Sequence, residues 1–78
     1  MRGHAIYGYT IYHDPRDFPG KYVVRGWSIL EGKADPVPDS IAHAIADDLA
    51  GTRAALPAGL VCLPRHPIDD PAIVEVWI

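Results

Sequence analysis

The chain has 78 residues, 49% of them hydrophobic and 22% charged, and a formal net charge of -3. A core of this size rarely supplies more than ~3–5 kcal/mol, so residues 1–78 are expected to form a single compact domain without an interdomain cleft, and any ligand site is shallow or shared with another chain. The hydrophobic fraction excludes a disordered chain despite eight Pro and seven Gly, and the mild acidity gives no basic footprint for a phosphate backbone.

The chain opens on "MRGHAIYGYT", which has one Arg but no apolar run of the kind that precedes a leader cleavage site. No stretch approaches the roughly 18 apolar residues of a membrane span, so a soluble cytoplasmic protein is expected. Residues 5 to 12, "AIYGYTIY", alternate as a strand, with Tyr7, Tyr9 and Ile11 on one face and Ile6, Thr10 and Tyr12 on the other. "HDPRDFPG" then reads as a long hairpin loop ending in a type II turn, because Pro19 presets φ and Gly20 accepts a positive φ.

The richest strand signal is "KYVVRGWSIL", which sets Tyr22, Val24 and Ser28 against Val23, Arg25, Trp27 and Ile29. Gly26 within it suggests a bulge or a ring packed over the backbone. "EGKADPVPD" follows as a turn or linker, since Pro36 and Pro38 lack the N–H that a ladder needs.

From Ser40 two readings stand. Ile41, Ile45, Leu49, Thr52 and Leu56 recur at helical spacing, giving one amphipathic helix over 40–56 capped by Asp39 or Ser40. Alternatively "SIAHAI" is a short strand and Asp47 caps a helix "DLAGTRAAL". Both readings end the helix at Leu56, before Pro57 and Gly59. "GLVCLPRHP" is then extended, "HPIDDP" reverses the chain, and "PAIVEVWI" is the last strand. The sum is an α+β fold: an antiparallel sheet of four or five strands with one principal helix packed on one face.

One helix buries one face only, and Val74, Val76 and Ile78 are the expected partners beneath Leu49 and Leu56. The other face is expected to carry Val23, Arg25, Trp27 and Ile29 beside Ile73, Glu75 and Trp77, with Arg25 and Glu75 paired across the ladder for about 0.2–1 kcal/mol. Indole rings on an uncovered sheet mark an interface, unless the long loop folds Phe18 over them.

Signals for chemistry are weak. The lone Cys62 excludes an internal disulfide and reads as inert core between Val61 and Leu63, and four His without a second Cys match no zinc spacing. His13 with Asp14, and His66 with Asp69 and Asp70, occupy turns whose composition explains them without catalysis or a metal. Asp47 and Asp48 suit a helix start. No nucleophile elbow, phosphate-cradling Gly loop or paired-carboxylate pattern is present, so no enzyme activity and no cofactor are expected.

Two stretches, "DFPGKYVVRGW" and "ALPAGLVCLPRHPIDDPAIVEVWI", resemble small proteins of high-GC bacterial and prophage genomes over about half the chain. In size and mild acidity the chain is similar to anti-CRISPR proteins, including those directed at type I effectors such as type I-C Cascade. That group shares no common motif, so it transfers no residue by position. The resemblance implies stoichiometric inhibition through occupation of the effector surface that receives target DNA or recruits the nuclease; a monomer or weak homodimer is expected. The contact residues expected for such an inhibitor are Arg25, Trp27, Glu75 and Trp77 on the aromatic face, with Asp14, Asp17, Asp69 and Asp70 facing a basic channel. A single-stranded nucleic-acid module stacking bases on Tyr7, Tyr9 and Trp27 is the alternative, and an enzyme or metal protein using His13, His66 and Asp70 is the third.

Overall fold

The computed structural model describes residues 5–32, 35–39, 41–63 and 70–78. Among these, the chain builds an antiparallel sheet of six strands and one short helix. The long strands β1 (Ala5–His13) and β2 (Tyr22–Leu30) form a hairpin paired along its whole length, from Ala5 opposite Leu30 to His13 opposite Tyr22. The outer edge of β2 carries two short strands, β3 (Val37–Pro38) at Trp27 and Ser28 and β4 (Ala44–Ala46) at Tyr22–Val24. On the other side of β1 lies β6 (Ile73–Trp77), edged by β5 (Cys62–Leu63).

The hairpin loop is held by local bonds. Lys21 N donates to the Phe18 carbonyl at 3.2 Å with Gly20 at φ 74°, the expected type II turn. Asp14, itself at φ 56°, accepts from Gly20 N through Oδ1 at 2.7 Å, a conformation Asp tolerates better than most side chains.

The segment after Ser40, which itself lies outside the described residues, follows the split reading. Strand β4 is followed by helix α1 (Leu49–Ala54), and the cap is Asp48 rather than Asp47. Asp48 Oδ1 accepts from Gly51 N at 2.7 Å, satisfying one of the first-turn donors. Asp47 instead pairs with Lys21 on the surface. A helix of six residues does not persist alone in water, so α1 depends on packing. Thr52, within the helix, is fully buried and donates its hydroxyl to the Leu49 carbonyl at 2.7 Å.

Registry decides the two faces of the sheet. Tyr9, Ile11, Val24, Gly26, Ala44, Ala46, Glu75 and Trp77 share the face on which α1 sits, where Arg53 of the helix reaches Glu75. Thr10, Tyr12, Val23, Arg25, Trp27, Ile45 and Val76 share the opposite face. The fully buried aliphatic residues straddle the sheet: Ile11 and Val24 on the helix side, Val23 on the other.

Three expectations are corrected here. The helix packs against the face bearing Glu75 and Trp77, not the one bearing Val76. Trp27 and Trp77 lie on opposite faces, because they sit opposite the consecutive residues Gly8 and Tyr9. Arg25 and Glu75 do not pair: β1 runs between their strands, and their side chains leave opposite sides of the sheet.

Gly8 decides where Trp27 rests. A methyl at Gly8 would overlap the six-membered part of the indole, so the ring lies flat on the β1 backbone only because that position has no side chain. We expect Gly8→Ala to destabilise the fold by about 1–3 kcal/mol through overpacking, read as a lower urea midpoint, and to cost much less in a Trp27→Ala background. Equal costs in both backgrounds would show that the indole does not make the constraint. Asp48→Ala is expected to cost about 0.5–2 kcal/mol and Asp47→Ala under about 0.5 kcal/mol in the same measurement.

Candidate protein-binding face

On the face away from the helix, the indole of Trp27 is fixed twice. Its ring covers Gly8, and its Nε1 donates to Thr10 Oγ1 at 3.1 Å, so burying half of the ring strands no donor. Trp27 pairs with Pro38 of β3, which brings Pro36 and Pro38 alongside it. On the other flank a β-bulge in β6 re-aims the chain. Ile11 is opposite Glu75 while Tyr12 is opposite Ile73, so Val74 is the extra residue and Ile73 joins Val76 on this face. Together Thr10, Tyr12, Trp27, Pro36, Pro38, Ile73 and Val76 line a shallow, largely apolar groove of about 340 Å³.

Tyr12 also forms a wall of a second, polar cleft of about 470 Å³ with Asp14, Pro15, Arg16, Asp17, Arg25, Asp70 and Ala72. Here the hairpin loop bends back over the sheet, and Asp17 forms an ion pair with Arg25. Asp70 opens the last turn, accepting from Ala72 N through Oδ1 at 2.9 Å while its carbonyl takes Ile73 N. The Tyr12 phenol, half-buried between these charges, is pushed above its ordinary pKa by burial first, an effect Arg25 opposes and Asp70 reinforces.

The structure therefore brings Asp14, Asp17, Asp70 and Arg25 together and sets Trp27 beside them. Asp69 and His66 lie outside the described residues. Glu75 and Trp77 belong to the helix face, where Glu75 accepts from Arg53 Nε and from Trp77 Nε1, each at 3.0 Å. The Arg53 hydrogen bonds hold the Glu75 carboxyl below its usual range against the effect of burial, helped by the Trp77 N–H. Glu75 thus links Arg53 of the helix to Trp77 of its own strand.

Other polar and aromatic side chains also resolve into structure. His13 stacks on Tyr22 at 4.3 Å, and His43 meets Tyr9 at 5.0 Å while its Nε2, protonated to face a carbonyl, donates to Ala55 O at 2.9 Å. Cys62, expected in the core, is exposed on edge strand β5. Tyr7 and Tyr9 face the helix side and Trp27 the other, so they form no common stacking platform. Among the described residues no group of His, Cys, Asp and Glu is placed to hold a metal ion, and no helix is long and apolar enough to cross a membrane.

Sequence reasoning set Ile73 on the face of Trp27 but missed Tyr12, Pro36, Pro38 and Val76 as site residues. Alternation already placed Tyr12 opposite Tyr9, but nothing in the sequence marked the bulge or the return of the proline segment along Trp27. No family model matches the chain, and no curated protein or solved structure matches it either.

The Glu75 environment carries a pH dependence. A carboxyl whose folded pKa is lowered stabilises the fold fully above its unfolded value, near 4.5, and loses that contribution as pH falls through the folded value. Glu75→Gln should therefore flatten the fall in urea midpoint below about pH 4.5. An unchanged acid profile would mean that the Arg53 contact does not persist in solution.

Proposed function

We propose that this protein is a non-enzymatic inhibitor acting by stoichiometric protein binding in the bacterial cytoplasm, directed at a type I CRISPR effector complex such as type I-C Cascade. It binds through the groove at Trp27 and the acidic cleft next to it, blocking target-DNA binding or nuclease recruitment. The observation that carries the binding mode is the immobilised indole on the face that α1 does not cover, beside a patch of charged side chains. A pre-ordered aromatic anchor loses little entropy on association, and such anchors dominate interface energetics. The choice of target rests on the likeness of the chain to anti-CRISPR proteins in size and mild acidity, beside the resemblance of "DFPGKYVVRGW" and the C-terminal stretch to prophage-type proteins.

Capture of purified effector subunits by the tagged chain tests this. Trp27→Ala is expected to weaken capture about 30-fold or more, the effect of losing an interface hot spot of about 2 kcal/mol. Asp47→Ala, on the surface beside Lys21, should leave it within about twofold. Unchanged capture by a Trp27 variant with native circular dichroism would remove this face from the interface, and no capture by the unaltered chain would remove the target class.

A further inference from the structure

The shape and charge of the open face specify a partner segment. The groove is walled by the planar rings of Trp27 and Tyr12 and the compact pyrrolidines of Pro36 and Pro38, and it runs into the polar cleft through the shared Tyr12. In that cleft three carboxylates stand against two guanidinium groups, so the lining is net acidic. Asp17 is engaged by Arg25, but Asp14 and Asp70 each use only Oδ1 on a backbone N–H, which leaves their second oxygens for an incoming cation among the described residues. The Trp27 N–H is already committed to Thr10, so the indole offers a ring face, whereas the Tyr12 hydroxyl has no hydrogen-bond partner among the described residues.

We propose that this surface binds a proline-rich segment in polyproline II conformation with a basic residue at one end. The proposal rests on the reading of this face as a protein-binding surface and names what the partner presents to it. A polyproline II helix has no internal hydrogen bonds and is largely ordered before binding, so it suits a shallow ring-walled groove that offers little depth to a bulky helix. Its prolines lie against Trp27 and Tyr12, its exposed carbonyls accept from the Tyr12 hydroxyl, and its terminal Arg or Lys meets Asp14 and Asp70.

The test titrates the isotopically labelled 78-residue chain with short oligoproline peptides carrying one arginine, placed at the N-terminal end in one peptide and the C-terminal end in another. Saturable shifts at the Trp27 indole N–H, Tyr12 and Val76 are expected for one orientation. Replacing that arginine by glutamate should weaken binding roughly twofold to fivefold at low salt, the range of an exposed ion pair. Asp14→Asn with Asp70→Asn should remove the difference between the two peptides. Trp27→Phe, which keeps a ring over Gly8, controls for loss of the fold. No saturation, shifts confined to the helix face, or tighter binding by an alanine-rich helical peptide with the same arginine would overturn the proposal. If the chain captures the effector through Trp27 yet ignores every oligoproline, this inference fails while the inhibitor reading survives. If oligoproline binds and no effector is captured, the reverse holds.

Discussion

Helix α1, with six residues, is about 9 Å long, while strands β1 and β2, with nine residues each, run about 30 Å. So short a helix covers only the stretch of sheet around Ile11 and Val24, and everything else must be shielded by other means. On the opposite face the hairpin loop turns back to Arg25, held by Asp17. Farther along, the sheet covers itself: Trp27 lies down on β1 at Gly8 and ties its N–H to Thr10. The open groove is what remains between these coverings.

This economy explains how the chain places an aromatic ring at its surface without loss of order. Half-exposed indoles are costly when they are mobile and their N–H is unsatisfied; here both indoles donate within the chain, Trp27 to Thr10 and Trp77 to Glu75. The roles then separate. Trp77 belongs to the joint between helix and β6, together with the Arg53–Glu75 pair. Trp27 is left as a fixed, part-exposed ring in a groove that shares Tyr12 with the cleft of Asp14 and Asp70.

Strand parity was legible because a pleated chain alternates sides whatever its neighbours are, and the faces of β1 and β2 follow that alternation residue by residue. The hairpin turn was legible from Pro19 and Gly20, since their allowed φ values leave few options. The helix was legible only as one of two alternatives. Ile41 and Ile45 fit both periods, and Ile45 falls on a strand because the outer edge of β2 accepts Ala44–Ala46 as a partner. Cys62, read as core from its apolar neighbours, ended on an edge because β5 is the outermost strand beside β6.

By itself the sequence determined the two long strands and the side of its own strand to which each of their residues points, the type II turn and the α+β class, because these depend on backbone torsions and on neighbours close along the chain. Only the tertiary structure decided which strands lie together. With β1 between β2 and β6, Arg25 is parted from Glu75, and the bulge at Val74 turns Ile73 toward Tyr12. Strand order and register arise from contacts between residues far apart in the chain, where burial, the reach of a loop and a missing side chain at Gly8 compete, and no local pattern records that competition.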